Sequence, residues 1–380
     1  MELELTDDQE MLAGTTAKFL EESVPVAELR ARRDDPVGFD AGYWRQGAEL
    51  GWTSLLVSED DGGGSISGRG LSDLSLLAFE FGRNAAPGPL VTNNVVASAV
   101  SRLGSAAQKA EVLGGLLDGS QLAAWCAAER FPHDGFGVVT AELVPSGDGY
   151  VLNGRKVPVE SGDQADWLLV VAKSPGGLSE VLLPASTPGV SVSPMGSVDL
   201  TRHFSTITFS DVAVSSDQLL GGLDQAAAEV ERSNQEAIVI ELSEMIGSMD
   251  KAFEMTVEWS FNRYSFGRPL ASYQALKHRF ADMKIWLEAS NGICDDAIAA
   301  LEDGNEDAAR LVSAAKAYVS WYGPELAQDC VQLHGGIGVT FEHDLHLYLR
   351  RIVLGSQLYG TVADHRAQLT TILENKEATS

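Results

Sequence analysis

Gln332-Leu333-His334-Gly335-Gly336-Ile337-Gly338 runs into Glu342-His343-Asp344-Leu345-His346-Leu347-Tyr348-Leu349-Arg350-Arg351, joining a glycine-rich turn to a new helical run. Glycine removes the Cβ and tolerates positive φ, so a phosphate or ribose can come close to the backbone there. The same residues also read as a glycine cap closing the helix that carries Ala327 to Leu333. Upstream, Arg263-Tyr264-Ser265-Phe266-Gly267-Arg268-Pro269 and Gln274 supply complementary chemistry. Arg263 offers a permanently charged fork for a pyrophosphate, Phe266 an aromatic face for a ring system, and Gln274 a bidentate amide for an adenine or ribose edge.

Working outward, the residues after Asp224 fall into long helical patterns, roughly 224–265, 271–303 and 305–332, then shorter ones at 341–353 and 361–374. Their apolar stripes suit an antiparallel bundle. Between about Leu122 and Gly221 the chain changes to short β-branched runs, Val138-Val139-Thr140, Tyr150-Val151-Leu152, Trp167-Leu168-Leu169-Val170-Val171, Val181-Leu182-Leu183 and Thr206-Ile207-Thr208-Phe209, separated by turn residues. At the start, Thr6-Asp7-Asp8-Gln9-Glu10 caps a helix beginning near residue 6. Helical patterns then continue to Leu117. The expected fold is α+β: an N-terminal α-helical domain (1–120), a middle antiparallel β-barrel or sandwich (121–221) and a C-terminal helix bundle (222–380).

The chain carries 54 Asp and Glu against 27 Lys and Arg, a formal charge of −27, so it repels phosphate backbones and no nucleic-acid partner is expected. Cys126, Cys294 and Cys330 have neither disulfide nor zinc spacing. An acidic start without a basic, apolar leader, and no run approaching ~20 apolar residues, give the expectation of a cytoplasmic protein with no membrane span. His334, His343 and His346 lack acidic or Cys partners at ligand spacing, and no metal is expected. Asp199-Leu200-Thr201-Arg202 reads as a turn, with Asp199 and Thr201 capping and Arg202 paired to a carboxylate, or as a substrate contact.

Taken in order, these motifs resemble the acyl-CoA dehydrogenases, and the resemblance spans the chain. It extends through Leu50-Gly51-Trp52, Glu80-Phe81-Gly82-Arg83-Asn84-Ala85-Ala86-Pro87-Gly88-Pro89, Leu152-Asn153-Gly154-Arg155-Lys156 and Ala281-Asp282-Met283. It implies an oxidoreductase that uses FAD to convert an acyl-CoA thioester to its trans-2-enoyl form. A carboxylate takes the α-proton while hydride leaves the β-carbon, and an electron-transfer flavoprotein is the implied acceptor. It also implies that Arg263, Phe266, Gln274, Gln332, Gly335 and Gly336 reach across a subunit interface to the ADP half of a neighbour's FAD.

The sequence departs from the family where the chemistry would occur. Where many members carry Tyr-Glu-Gly-Thr, this chain has Leu358-Tyr359-Gly360-Thr361, and the alternative base position falls on Ala237. Glu241 and Glu244 follow on the same helix face, one and two turns along. Either is a candidate base, and each reads equally as an interhelix salt bridge or a solvated carboxylate. On the flavin-ring side, Trp125-Cys126-Ala127-Ala128-Glu129-Arg130-Phe131-Pro132 replaces the usual Thr-Glu-Pro segment, and Val157-Pro158-Val159 stands for Trp-Ile-Thr. A preserved ADP clamp with an eroded ring pocket resembles the two-component α2β2 enzymes associated with bacterial sterol side-chain β-oxidation. The base would then come from a second dehydrogenase-like subunit. The alternatives are a self-sufficient homo-oligomer using Glu241 or Glu244, and a non-catalytic structural partner.

Overall fold

The computed structural model describes residues 5–30, 38–129 and 138–379. Residues 1–4 and Arg130-Phe131-Pro132, which entered the expectations above, lie outside the described residues.

The first helix, α1 (Asp7–Ser23), starts as its sequence dictates. The Thr6 hydroxyl accepts from the Gln9 amide and the Gln9 side chain returns to Thr6 N, a reciprocal capping box. Further helices α2 (Val26–Leu29), α3 (Ala41–Glu49), α4 (Gly70–Arg83), α5 (Leu90–Leu103) and α6 (Ala106–Leu117) complete the first helical region. They close around the fully buried Trp52, whose ring meets Phe81 edge-on at 4.7 Å.

Among the described residues eight strands follow: β1 (Ala123–Cys126), β2 (Glu142–Ser146), β3 (Gly149–Glu160), β4 (Trp167–Ser174), β5 (Gly177–Pro184), β6 (Val190–Met195), β7 (Phe204–Val214) and β8 (Leu219–Leu220). The sheet runs β6-β7-β3-β2-β4-β5-β8, with β1 beside β4. It is antiparallel except that β1 and β2 each pair with β4 in parallel. Alternation along the strands separates two cores. Trp125, Leu169, Val171 and Leu182 join the helical core, while Cys126, Leu168, Val170 and Phe209 form a core of the sheet's own. The run Val138-Val139-Thr140 is not a strand, because Thr140 N is held by the Glu129 carboxylate at 2.6 Å instead of a ladder partner.

The last region comprises α7 (Ala227–Asn262), a hairpin of β9 (Tyr264–Ser265) and β10 (Arg268–Pro269), then α8 (Gln274–Glu302), α9 (Ala308–His334), α10 (Leu345–Gly355) and α11 (Val362–Thr379). Helix α4 packs directly on α7. A Cβ at Gly82 would lie 1.9 Å from the Glu244 carbonyl oxygen, and one at Gly247 would lie 2.0 Å from that of Phe79. Only glycine permits this approach. It sinks residues 233–249 of α7 into the protein on every side.

Candidate functional site

Two groups of sequence-identified residues meet at one end of the bundle. Arg263, Phe266 and Gln274 lie on the α7–α8 connection, and Gln332, Gly335 and Gly336 lie where α9 ends. The groups are held together by Trp259 stacked on His334 at 5.4 Å and by Arg279 paired with Asp329 at 2.5 Å. Arg263 caps α7 through its N–H to Trp259 O at 2.9 Å, and its guanidinium lies 6.0 Å from the Trp259 ring centroid.

Phe266 and Gly267 form the turn of the β9–β10 hairpin with φ of 50° and 80°. Positive φ at both central residues matches a type I′ turn, and a phenylalanine there is strained. The turn is fixed by Leu270 N to Arg263 O at 2.9 Å and by the Tyr273 hydroxyl to Ser265 O at 2.7 Å. The Phe266 ring is 97% exposed, with Tyr264 at 63% beside it. At the end of α9, a Cβ added to Gly335 or Gly336 would meet nothing within 4 Å. This end of the bundle is open, strained at one aromatic and lined by exposed donors.

The candidate bases lie elsewhere. Glu241 is fully buried and both its oxygens accept from Arg202 Nη1, at 2.8 and 2.7 Å. Arg202 Nε donates to Glu160 Oε1 at 2.7 Å. Glu244 Oε2 stands 3.9 Å from Arg202 and 3.8 Å from Arg351, and Arg351 pairs with Asp199 at 3.0 Å. Asp199 also accepts from Thr201 N at 2.9 Å and from its hydroxyl at 2.8 Å. The turn reading of residues 199–202 describes these bonds, but the pairing occurs in the interior.

Electrostatics follow from burial. Removal from water pushes Glu244 up to about 8 against the pull of Arg202 and Arg351. Burial likewise raises Glu160. Burial opposes charge on Arg202, yet Glu160, Glu241 and Glu244 hold its pKa well above the ordinary value. Lys316, whose Nζ donates to Gly355 O at 2.6 Å, is lowered by burial to about 8. The Tyr359 phenol is raised by burial and by Glu160 and Glu241, its carboxylate neighbours. Gly355 is needed at its position, since a Cβ would sit 2.4 Å from Glu241 Oε1.

The segment after β1, which departs from the usual Thr-Glu-Pro run, is tied to the interior strand β3. Glu129 accepts from Lys156 Nζ at 2.7 Å and from Ala141 N at 2.8 Å, in a pair closed to solvent. The histidines are similarly used: His334 Nδ1 lies 2.8 Å from Cys330 O, and His346 Nε2 lies 3.2 Å from Phe341 O. Among the described residues no cluster of His, Cys, Asp and Glu is arranged to hold a metal, and no helix is long and apolar enough to cross a membrane.

Models of acyl-CoA dehydrogenase domains match this chain in order: the N-terminal domain over residues 6–120, the middle domain over 133–212 and the C-terminal domain over 231–373. The chain belongs to the acyl-CoA dehydrogenase family. It is 29% identical to acyl-CoA dehydrogenase IpdE2 of Mycobacterium tuberculosis, with 93% of each chain covered. It is 27% identical to the acryloyl-CoA reductase (NADH) of Anaerotignum propionicum, covering 96% of this chain and 94% of that one. A solved variant of the Tcur3481-Tcur3483 steroid ACAD superposes with a TM-score of 0.89 at 28% identity, over 98% and 99% of the two chains. The ChsE4-ChsE5 complex from Mycobacterium tuberculosis shares the fold, with a TM-score of 0.89 at 22% identity over 98% and 99%. This acyl-CoA dehydrogenase is an oxidoreductase acting on acyl-CoA, and its family points to FAD.

The residues fit that cofactor in one half only. Exposed Arg263, Gln274 and Gln332 and the open backbone of Gly335 and Gly336 suit a pyrophosphate and adenosine. In the interior, the end of β3 and the Glu241–Glu244 face of α7 converge on Arg202, and their carboxylates act on the buried Tyr359 phenol. The sequence reading missed this convergence, and the pairing noted for Arg202 was the signal that could have found it.

Proposed function

We propose that this chain is one subunit of a heteromeric FAD-dependent acyl-CoA dehydrogenase that forms the trans-2-enoyl thioester, acting on a bulky acyl group such as a steroid side chain. The observation that carries the reading is the contrast between Phe266, 97% exposed on a fixed turn, and the fully buried Glu241 paired with Arg202. The first asks for a second subunit to cover it. The second engages Glu241, one turn from Ala237, so that it offers no free carboxylate in place of the family's base.

Arg263 would hold the pyrophosphate as a charged fork, Gln274 and Gln332 the ribose and adenine edges, and Gly335 and Gly336 admit the ligand to the backbone. Phe266 would pack on the nucleotide and exclude water at the interface. FAD, when bound, supplies the hydride acceptor, and an electron-transfer flavoprotein would reoxidise it. The α-proton would be taken by a carboxylate of the second dehydrogenase-like subunit. The steroid ACAD among the structural relatives supports the substrate class and the unlike-subunit assembly.

A second reading, a self-sufficient oligomer, rests on Glu244, whose raised pKa of about 8 is the kind of value a proton-abstracting carboxyl carries. The visible spectrum of the purified chain with light scattering in the same run separates the two. The heteromer reading expects a chain that purifies colourless, binds added flavin reversibly by its nucleotide half, and keeps a stoichiometric flavin through purification only with its partner. One flavin per subunit on a symmetric oligomer, with turnover lost in Glu244→Gln, would establish the self-sufficient enzyme instead.

A further inference from the structure

We infer that Arg202 is a built-in plug, its guanidinium filling the part of this chain's own cleft where a flavin ring and a thioester would otherwise lie. The inference rests on the FAD reading above, and deepens it by naming what closes one of the two half-sites.

Segments far apart in the sequence end on this one side chain. The end of β3 brings Glu160 to Arg202 Nε at 2.7 Å, and α7 brings Glu241 to Nη1 at 2.7 and 2.8 Å. The Arg202 side chain is 2% exposed and that of Glu241 0%. A ligand could enter only by separating these pairs and leaving uncompensated charge in a dry interior, which strongly opposes entry. The plug is braced from behind, where Arg351 holds Asp199, three residues before Arg202, and donates to Phe81 O at 3.2 Å and Ala86 O at 2.8 Å. A cavity of about 600 Å³ exists elsewhere, walled by Leu55, Ser98, Arg102, Arg232, Glu236 and Glu302. It opens on a different face of α7, since Glu236 is rotated by about 100° from Ala237.

The consequence is a division of labour: this chain holds a flavin nucleotide by its ADP half only, and the ring rests in the cleft of the other subunit.

The test uses the full-length chain with FAD, ADP and lumiflavin, which is the ring system without the nucleotide. The plug predicts that FAD bound to the wild-type chain keeps its fluorescence open to iodide quenching, that ADP displaces it, and that lumiflavin does not bind. Removing the charges together in Glu160→Thr/Arg202→Thr/Glu241→Ala should raise lumiflavin affinity by about tenfold or more. If that variant does not fold, Arg202→Met/Glu241→Gln, which removes one charge of each sign, serves the same comparison. A wild-type chain that shields the FAD ring from iodide would overturn the plug and leave the cofactor reading standing. So would a folded charge-free variant that holds lumiflavin no better than wild type. Failure to bind ADP or FAD would count against the clamp instead, and lumiflavin would still decide the plug.

Discussion

Arg263 and Arg202 carry the same guanidinium into opposite environments. Arg263 stands exposed at the open end of the bundle, over the ring of Trp259. Arg202 is buried against Glu160 and Glu241, with Glu244 close by. An exposed arginine keeps its donors for a ligand, whereas buried Arg202 has committed Nε and Nη1 to Glu160 and Glu241, and its buried Nη2 has no hydrogen-bond partner. The family's two half-functions, gripping the nucleotide and working on the acyl group, are thus treated differently in one molecule.

The largest effect expected from breaking this contrast is at Arg202. Arg202→Met leaves Glu160 and Glu241 buried without their cation, and a loss of ~3–5 kcal/mol is expected for breaking such a pair from one side. The loss should be greatest at alkaline pH. Burial already raises the Glu160 pKa above its ordinary 4.5, and loss of the opposing Arg202 would raise it further, so acid relieves the unpaired charge. Thermal melts at pH 5 and pH 8 check this, and an equal loss at both would mean that the guanidinium contributes through packing alone.

Glu180 on β5 should show the next effect, with the same sign and no cation to lose. It is fully buried, and burial first and the Glu229 carboxylate second raise it from 4.5 to about 8, opposed by the Trp125 indole and Arg102. Between those two values the folded chain keeps a proton that the unfolded chain releases, so stability falls as pH rises through the window. Glu180→Gln abolishes that fall. Relative to wild type it should be neutral below pH 4.5 and more stable by ~1–3 kcal/mol at pH 8. A variant equally stable to wild type at both pH values would show that Glu180 is not a buried acid.

At the open end the expected effects move from stability to binding. Arg263→Ala removes charge-assisted bonds to a pyrophosphate, worth ~1.5–3 kcal/mol, or about tenfold to a hundredfold in ADP affinity. Stability should change by no more than ~0.5 kcal/mol, as for surface residues generally. Calorimetric ADP titration beside a melt reads both, and a large drop in melting temperature with unaltered ADP binding would remove Arg263 from the clamp.

The same contrast explains what could be read from the sequence. The helix-sheet-helix order was legible because period-3.6 stripes and period-2 runs are local signals, and the Thr6 cap states its helix start outright. The open end was legible because Arg263 to Gln274 and Gln332 to Gly336 are each contiguous. The closed cleft was not. Glu160, Arg202, Glu241, Arg351 and Tyr359 are distant in sequence, and a glutamate on a helix is ordinarily exposed. What reverses that expectation is the close approach of α4 to α7 at Gly82 and Gly247, and no periodicity announces it. The parallel pairings of β1 and β2 with β4 were likewise invisible to strand patterns, which carry no information on partner direction.

The smallest expected stability change sharpens the comparison most. Phe266 holds φ at 50° while its ring is 97% exposed, so the chain carries backbone strain without intrachain packing to offset it. A non-glycine residue in the left-handed region costs ~1–2 kcal/mol, and glycine would relieve it. Glycine also loosens the unfolded chain, by ~0.4–1 kcal/mol in the opposite direction. Phe266→Gly should therefore leave the melting temperature nearly unchanged, in contrast to Arg202→Met, while weakening ADP binding or association with a second subunit. Light scattering and ADP titration on the folded variant give the answer. A marked loss of stability would mean that the ring packs within its own chain, and the argument for a covering subunit from its exposure would go with it. Unchanged stability with weakened assembly would locate the function of the strained turn at the interface.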